Sequence, residues 1–391
     1  MYKVRTFNQI ALRGLERFPR ERFEVGSEIA DPHAILLRSH KLGPEHISPS
    51  LRAVARAGAG VNNVPVDLYT EHGIVVFNTP GANANSVKEL VIAALLLSAR
   101  DVLGGIEFVQ SLASTADPAE LDRRVEAEKK RFAGRELYGK TLGVVGLGAI
   151  GALVAEAGLR FGMTVLGYDP AISVEAAWRL PSDVQRMEHL HTLFARADFV
   201  TLHVPLLDAT RHLVNAESLK SFKKGAVLLN FARQEIVDEH ALAAALREKR
   251  VGAFFSDFPS PVLSGLSTVR ATPHLGASTE EAEENCAVMA ADQLVDFLRN
   301  GNIRNSVNFP SVNLERTEGT RIAVTNRNVP GMLGQVMSVL ADREINVIDM
   351  INKSRGDVAY NLIDVAAAPS ADLIREVSGI DSVINVRVFE T

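Results

Sequence analysis

Hydrophobic and polar positions alternate along most of the chain in the manner of repeated strand–helix units. Short apolar runs such as HAILLRS and GIVVFNT occur within residues 1–79, and longer ones such as GMTVLGYDP, ADFVTLHVP, GAVLLNFAR and VGAFFSDF follow between 85 and 273. A segment of helical length separates each run from the next. Continuous apolar runs of this kind are typical of strands buried in a parallel sheet, so the pattern predicts an α/β protein.

The segment 318–391 follows a different order. TRIAVTN, NVIDMINK, VAYNLIDVAA and INVRVFE are strand-like, while VPGMLGQVMSVLADREI and PSADLIREVSG are helix-like, which predicts a βαββαβ unit. Pro330 suits the first turn of the first helix. The apolar stripe of that helix comprises Met332, Leu333, Val336, Val339 and Leu340. The preceding stretch, NGNIRNSVNFPSVNLER, is predicted to be a linker, so this unit is expected to form a domain of its own.

Composition and charge narrow the class of protein. A chain of 391 residues predicts two or three domains. The net charge of −5 provides no basic surface for a nucleic acid or a membrane, and LVIAALLLSA (90–99) is too short to cross a bilayer. The N-terminus lacks the apolar core of a signal peptide, and the single cysteine, Cys286, excludes an intramolecular disulfide. We therefore expect a cytoplasmic protein.

The stretch GVVGLGAIG places three glycines, Gly146, Gly148 and Gly151, in G-x-G-x-x-G spacing between a strand and a helix. Such a loop binds a pyrophosphate through its backbone and the helix N-terminus. Asp169 ends the next strand, roughly 20 residues further on, where an acid accepts hydrogen bonds from a ribose diol. The alternative for Asp169 is a solvated loop acid. No arginine follows it at once, so the sequence predicts NAD rather than NADP.

Arg233 and His274 each follow a predicted buried strand, in LLNFARQEIVDEHAL and VRATPHLGASTEEAEEN. Taken singly, an arginine there is often a cap, and a lone histidine is usually structural. Together they suit hydride transfer to or from a 2-hydroxy acid. A guanidinium binds a carboxylate through two parallel hydrogen bonds, and a histidine exchanges the hydroxyl proton.

Several long motifs, in order, resemble the D-2-hydroxyacid dehydrogenase family: ARAGAGVNN, FNTPGANANSVKELVIAALL, ELYGKTLGVVGLGAIG, LHVPLLDATRHLVN, NFARQEIVD and TPHLGASTEEAEEN. The resemblance covers nearly the whole chain and extends to the members that oxidise 3-phosphoglycerate with NAD and open serine synthesis. It implies a doubly wound Rossmann domain (85–276) inserted in a flavodoxin-like substrate domain (1–84 and 277–312), followed by an ACT regulatory domain (318–391). It also implies L-serine as effector and a homodimer or homotetramer.

The same resemblance assigns individual residues. Arg233 would bind the substrate carboxylate, and His274 would be the acid/base. The positions that would face the substrate or its phosphate are Arg38, Ser39 and Asn83. The positions that would line the cofactor are Gly146, Gly148, Ala149, Ile150, Gly151, Asp169, Val204, Pro205, Phe231, Ala232, Asp257, Gly276 and Ala277. The positions that would bind the effector are Asn326, Asn328 and Asn346. No metal site is expected.

One stretch, GAFFSDFPSPVLSG, departs from the family pattern. Ser260 and Pro261 stand where the family has a glutamate before proline that orients the histidine, and Asp257 is shifted by one position. What supports His274 is therefore open. Two other functions remain as alternatives: a dehydrogenase for glyoxylate, 2-hydroxyglutarate or another 2-hydroxy acid, and a dinucleotide-sensing corepressor. The acidic balance, the ACT-like C-terminus and the retained arginine and histidine favour the enzyme.

Overall fold

The computed structural model describes residues 1–389, apart from the side chain of residue 175. The strands are β1 (Tyr2–Thr6), β2 (Phe23–Gly26), β3 (Ala34–Leu37), β4 (Ala53–Arg56), β5 (Val75–Phe77), β6 (Thr141–Val145), β7 (Thr164–Tyr168), β8 (Gln185–Arg186), β9 (Phe199–Leu202), β10 (Ala226–Asn230), β11 (Val251–Ser256), β12 (Val269–Ala271), β13 (Thr320–Arg327), β14 (Val347–Arg355), β15 (Val358–Val365) and β16 (Val383–Phe389). The helices are α1 (Leu12–Leu15), α2 (Val66–Glu71), α3 (Ala84–Ala99), α4 (Val102–Ser111), α5 (Pro118–Glu128), α6 (Ala149–Arg160), α7 (Val174–Trp178), α8 (Leu190–Arg196), α9 (Ala216–Lys220), α10 (Glu239–Arg247), α11 (Glu280–Asn300), α12 (Met332–Asp342) and α13 (Ala371–Ser378). Short 3-10 turns lie at Pro44–His46, Lys129–Phe132 and Gln234–Ile236.

Two compact units account for the chain, and the first combines residues 1–83 with the segment from 280 onward. Its parallel sheet has the order β2-β1-β3-β4-β5, which is the flavodoxin-like order. All four residues of β3 and the first three of β4 are buried, as their unbroken apolar sequences predict. Helix α11 buries its alanine-rich face, including Ala287, Ala290 and Leu294, against this sheet. The predicted flavodoxin-like architecture is confirmed.

The second unit, Ala84–Thr279, is built on a seven-stranded parallel sheet. Its order, β12-β11-β10-β9-β6-β7-β8, is the doubly wound Rossmann order extended by one strand. The order reverses between β6 and β9, and in open α/β sheets a ligand binds outside the carboxyl ends of the strands at such a point. The chain enters this unit after β5 and leaves it before α11, so the unit is an insertion, as the sequence predicts.

The C-terminal segment forms an antiparallel sheet of order β14-β15-β13-β16 with α12 and α13 on one face. This is the split βαβ arrangement that the βαββαβ pattern predicts. The other face is also covered, because Tyr360, Leu362 and Phe389 share a core with α11. The segment therefore packs within the first unit. The ACT assignment stays a prediction.

Two local predictions for α12 need correction. Its N-cap is Gly331, which has a left-handed φ of 85°, so Pro330 lies before the helix and not in its first turn. Of the predicted apolar stripe, Met332, Val336 and Leu340 are buried, whereas Leu333 is 39% exposed. Among the described residues, no helix combines the length and apolar character needed to cross a lipid bilayer.

Candidate active site

The three glycines of the predicted nucleotide loop differ in what they do. Gly146 follows β6 with a φ of 88°, which a non-glycine residue rarely adopts. Gly148 is the N-cap of α6, and a Cβ there would meet no atom within 4 Å. A Cβ on Gly151 would overlap the carbonyl oxygen of Gly146. The loop thus combines a tight turn, an open backbone and close helix packing, the three features that a pyrophosphate site requires.

Asp169 lies at the carboxyl end of β7 and is bonded to the glycine loop. Its Oδ2 accepts a hydrogen bond from the backbone N–H of Leu147 at 2.8 Å, and its Oδ1 accepts one from Ala171 at 3.0 Å. The carboxylate is half-buried and has acceptor capacity left for further donors. Together with the open Gly148 and the N-terminus of α6, it gives a donor and acceptor set that fits the ribose and pyrophosphate of a dinucleotide.

Other predicted cofactor positions lie on the same edge of this sheet. Val204 and Pro205 follow β9, and Phe231 and Ala232 follow β10 with 8% and 9% exposure. His203, which the sequence analysis missed, bonds through Nε2 to Thr201 Oγ1 at 2.9 Å. Burial lowers the pKa of His203 to about 3, so this ring is neutral at physiological pH. The only sequence signal for it was its place after a buried strand.

Arg233 projects from a turn that Asn230, the last residue of β10, holds in shape. The Asn230 side chain accepts from the Ala232 N–H at 3.1 Å and donates to the Arg233 carbonyl at 2.8 Å. Asn230 itself is 1% exposed, whereas Arg233 is exposed. The guanidinium donates to its neighbour's carbonyl, Ala232 O, at 2.7 Å, and it belongs to no ion pair among the described residues. It is available for a carboxylate.

His274 stands in a left-handed conformation, with a φ of 59°. Non-glycine residues in this region cost of order 1–3 kcal/mol and persist only where the surroundings impose them. Asp257, 2% exposed, imposes it here: Oδ1 accepts from Leu275 N at 2.7 Å, and Oδ2 accepts from Gly276 N at 2.7 Å. Thr272 Oγ1 donates to the same carboxylate at 2.7 Å.

Asp257 therefore holds the backbone of the His274 loop. The predicted contact between Asp257 and the nicotinamide stays a prediction. The His274 ring is exposed and lies edge-on to Phe258, with 5.0 Å between ring centroids. Within residues 1–389 no side chain or backbone group is hydrogen-bonded to that ring.

A carboxylate does reach the position of the missing glutamate, but from another element. Ser260 Oγ, 6% exposed, donates to Glu239 Oε2 at 2.6 Å. Glu239 is the first residue of α10, and its Oε1 accepts from Gln234 at 3.0 Å. Glu239 could not be predicted from the sequence, because nothing in the spacing of the two segments indicates that they meet.

The remaining predicted cofactor residues are Gly276 and Ala277. Gly276 is buried; its N–H bonds to Asp257, and its carbonyl accepts from Ser86 Oγ at 2.8 Å. Ala277 is half-buried. At the start of α6, Ala149 is exposed and Ile150 packs partly against the core.

The predicted substrate residues Arg38, Ser39 and Asn83 belong to the first unit. Arg38 follows β3, and its guanidinium is paired with Glu283 at 2.7 Å, both side chains being about two-fifths exposed. The backbone N–H of Ser39 donates to Asn8 Oδ1 at 3.0 Å. Arg56, at the end of the neighbouring strand β4, donates from Nε to the Arg38 carbonyl at 3.1 Å. Arg56 is a second cation at this edge that the sequence analysis missed.

The three predicted effector asparagines are not equivalent. Asn326 is 3% exposed, and its amide bonds to the Arg327 carbonyl and to Asn361 within the sheet. Asn328 follows β13 and donates to Gly356 O at 3.0 Å. Asn346 is exposed and immediately precedes β14.

The register places Asn328 and Asn346 far apart. Val347 pairs with Val365, which is opposite the start of β13, while Arg327 is at its other end. Asn346 is therefore offset from Asn328 by about nine residues along the strands and by two strand spacings across the sheet, which at about 3.3 Å per residue separates them by roughly 30 Å in one chain.

Comparisons with known proteins identify the family of this chain. Residues 108–276 match the family model described as D-isomer specific 2-hydroxyacid dehydrogenase, NAD binding domain. The D-3-phosphoglycerate dehydrogenase of Haemophilus influenzae is 34% identical over 94% of this chain and 88% of its own length. That of Methanocaldococcus jannaschii is 36% identical over 88% of this chain and 63% of its own. This chain spans about three fifths of the length of several such relatives.

Solved structures give the same fold. The 3-phosphoglycerate dehydrogenase of Entamoeba histolytica with bound NAD+ has a TM-score of 0.61 and 27% identity, and the match covers 78% of this chain and 98% of that one. The D-lactate dehydrogenase of Aquifex aeolicus, with a TM-score of 0.59 and 23% identity over 79% of this chain and 100% of that one, shows likeness of fold alone.

Proposed function

Because this chain belongs to the D-isomer specific 2-hydroxyacid dehydrogenase family, we propose that it oxidises 3-phospho-D-glycerate to 3-phosphohydroxypyruvate with NAD, the first step of L-serine synthesis. The observation that carries the proposal is the common position of the reactive groups. Arg233 follows β10 and His274 follows β12, in the parallel sheet whose strand β6 leads into the glycine loop. The carboxyl ends of parallel strands share one edge, so these groups face the cofactor side of the sheet.

The two side chains divide the chemistry between them. The Arg233 guanidinium binds the substrate carboxylate through two N–H donors and fixes the adjacent hydroxyl-bearing carbon. A ring nitrogen of His274 takes the hydroxyl proton as the carbonyl forms. NAD, when bound, accepts the hydride from that carbon. In the reverse direction His274 returns the proton to the carbonyl oxygen.

The phosphate of the substrate needs a cation other than Arg233, which binds the carboxylate. Arg38 is the predicted anchor, and its present partner, Glu283, is an exposed acid that a phosphate would displace. Because an exposed ion pair contributes at most about 1 kcal/mol, the exchange costs little. Arg38→Gln should therefore raise the KM for the phosphorylated substrate and leave the KM for a non-phosphorylated 2-oxo acid unchanged.

NADH absorbance tests the proposal directly. Purified full-length protein should oxidise NADH with phosphohydroxypyruvate at a higher kcat/KM than with glyoxylate or 2-oxoglutarate, and NADH should be preferred to NADPH. A higher kcat/KM for either competing acid would assign a different substrate. Turnover with none of the three would remove the enzyme assignment.

We propose in addition that L-serine binds between the C-terminal sheets of two copies of the chain. The Asn328 Oδ1 accepts no bond within the described chain, so it can receive the ammonium group. Asn326 has no part in this proposal, because its amide is used inside the sheet. Since one chain holds Asn346 roughly 30 Å away, the second asparagine must come from another copy.

The exposed edge strand β14 can pair with the same strand of a second copy. It pairs only with β15 among the described strands, and most of its side chains are exposed. An unpaired strand edge is a template for another strand. A two-fold pair of β14 strands would run antiparallel, which places Asn346 of one copy at the far end of the other's β14. Asn346 of the second copy then lies three strand spacings, about 14 Å, from Asn328.

Subunit mixing separates this arrangement from a site within one chain. Asn328→Ala and Asn346→Ala should each abolish serine binding in calorimetry, with Asn352→Ala as an exposed-strand control. Mixed and reassociated, the two variants should recover about one quarter of the sites, because one of the two sites in each mixed dimer is intact. No recovery on mixing, despite exchange of subunits, would contradict a shared site.

A further inference from the structure

A cavity of about 480 Å³ lies within the first unit, beside β16 and the segments that precede β4 and β5. Its polar lining comprises Ser48, Arg52, His72, Thr325, Tyr360, Asn385 and Arg387. It shares no residue with the predicted substrate, cofactor or effector positions. Among its described lining residues there is no aspartate or glutamate. Two arginines therefore line a cavity that offers them no counter-charge.

Arg387 is the more deeply placed of the two, at 7% exposure. Its guanidinium carbon lies 4.6 Å from the ring centre of Phe297 and 4.5 Å from that of Phe389. One nitrogen donates to the Leu298 carbonyl at 3.3 Å, while Nη1 is shielded from solvent and bonded to no described residue. Burial lowers the pKa of Arg387 to about 10, which expresses the cost of keeping this charge away from water.

Arg52, the other arginine in the cavity lining, also has a buried nitrogen atom. Its Nε is buried and bonded to no described residue, and burial lowers the pKa of this arginine too. Neither Arg52 nor Arg387 takes part in an ion pair within residues 1–389. His33 interacts with both arginines, and its pKa is lowered by burial and then by these and other positive charges. Burial outweighs the opposing effects of Tyr360 and Tyr2 on the pKa of Arg387, and no carboxylate among the described residues is ion-paired with either arginine.

The same unit contains a buried arginine whose bonding is complete, and it serves as an internal comparison. Arg321, 0% exposed, forms a two-pronged bond to Asp364 at 2.6 and 2.8 Å, and donates to the carbonyls of Asn300, Leu314 and Glu315. Buried charges are normally paired and hydrogen-bonded in this way. Arg387 has one long bond in place of five, so its acceptors are missing from the described chain.

We propose that this cavity binds a small metabolite bearing an oxyanion, either a phosphate monoester or a carboxylate, through Arg387 and Arg52. Both groups present two or more oxygens, as planar guanidinium groups require. The hydroxyl of Thr325 and the amide of Asn385 lie on the same cavity wall and can bind hydroxyl groups of the ligand. Because Arg387 is on β16 and Arg52 leads into β4, the ligand would join the C-terminal sheet to the flavodoxin-like sheet and stabilise the unit by mass action.

Calorimetric titration of the full-length protein with inorganic phosphate and with citrate, at constant ionic strength, tests the site. Arg387→Met and Arg52→Gln should each weaken binding at least about tenfold, since a hydrogen bond to a charged group is lost. Arg343→Gln removes an exposed, ion-paired arginine of the same segment and should leave the affinity unchanged. Every titration is repeated in an Arg38→Gln/Arg233→Gln background, so that an anion held at either arginine of the proposed substrate site does not contribute.

Tighter binding of phosphate would assign the phosphate esters, and tighter binding of citrate the carboxylates. The proposal is overturned if neither anion binds the Arg38→Gln/Arg233→Gln protein, or if adding Arg52→Gln to that protein leaves the binding of both anions unchanged. Should Arg387→Met fail to fold, Arg52→Gln decides alone, because Arg52 is only half-buried. None of these measurements depends on dehydrogenase activity, so failure of the proposed function would leave the result intact.

Discussion

Asp257→Asn tests the role of the loop that carries His274 without changing the histidine itself. The substitution keeps the size of the side chain but replaces one carboxylate oxygen with an NH2 group. Whichever way the amide turns, it cannot accept from both Leu275 N and Gly276 N, which now bond to separate oxygens at 2.7 Å. One buried N–H is left without an acceptor, which costs about 1–3 kcal/mol.

That cost is comparable to the strain the loop must hold. A histidine with a φ of 59° is disfavoured by roughly 1–3 kcal/mol, so losing the Asp257 bonds should let the loop relax. The amides of Leu275 and Gly276 should then exchange with solvent about 5- to 150-fold faster, the equivalent of 1–3 kcal/mol. Misplacement of His274 should lower kcat by about 10²-fold, while the Kd for NADH changes little.

Hydrogen exchange, measured by mass spectrometry on a peptide spanning 272–279, gives the exchange rates of the two amides. Steady-state kinetics gives kcat. Thr272→Val is the matched control, because it removes the hydroxyl bonds to Asp257 and to the Ser256 carbonyl but keeps the Asp257 bonds to Leu275 N and Gly276 N. His274→Gly removes the strain, so Asp257→Asn should accelerate exchange less in that background. Unchanged exchange together with a weaker Kd for NADH would refute the reasoning and place Asp257 on the cofactor.

Three further predictions concern the cofactor, the substrate and the first unit. Gly148→Ala, at an open position, should keep the fold but weaken NADH binding in a fluorescence titration. Gly151→Ala places a methyl group against backbone, so it should also lower the melting temperature. Equal melting temperatures of the two variants would contradict this. Arg233→Lys should lower kcat/KM about 10- to 150-fold, since one ammonium cannot make the two-pronged bond; near-normal turnover would contradict it. Burial opposes ionisation of Asp364, yet its bonds to Arg321 hold the pKa of this carboxyl below its ordinary value. Its contribution is therefore present above about pH 4 and lost as the pH falls through the lowered folded pKa. Asp364→Asn should lower the free energy of unfolding in urea by about 3–5 kcal/mol at neutral pH. It should also reduce the loss of stability on acidification, and an unchanged loss would contradict the pairing.

The strands and the nucleotide loop could be predicted from local patterns in the sequence, whereas the order of the strands in each sheet was implied only by the family resemblance. Unbroken apolar runs such as β3 and β10 identify strands buried on both sides. The glycines of the loop are required by the backbone at their own positions, and the turn at Gly146 follows directly after the strand. Arg233 and His274 could be predicted because each follows its strand within a few residues.

The support of these residues could not be predicted, because it depends on contacts between distant segments. Glu239 at the start of α10 contacts Ser260, and the FPSPV stretch gives no sign of this. The separation of Asn328 from Asn346 depends on strand register, which the βαββαβ pattern leaves undetermined. Arg387 lies in an ordinary alternating strand, and only the packing against α11 shows that its charge is buried.

The loops that carry Arg233 and His274 are held in place in the same way, and this links the fold to the proposed chemistry. Asn230 ends β10 and bonds forward to Ala232 and Arg233, and Asp257, one residue past β11, bonds forward to Leu275 and Gly276. In both cases a buried polar side chain at a strand end fixes a backbone turn, and the turn presents an exposed cation or base. Because the strand is rigid, the turn is held before a ligand arrives, so binding energy is not spent on ordering it. Substitutions of the buried member should therefore lower the rate in proportion to how far the turn relaxes, although neither buried side chain needs to touch the substrate.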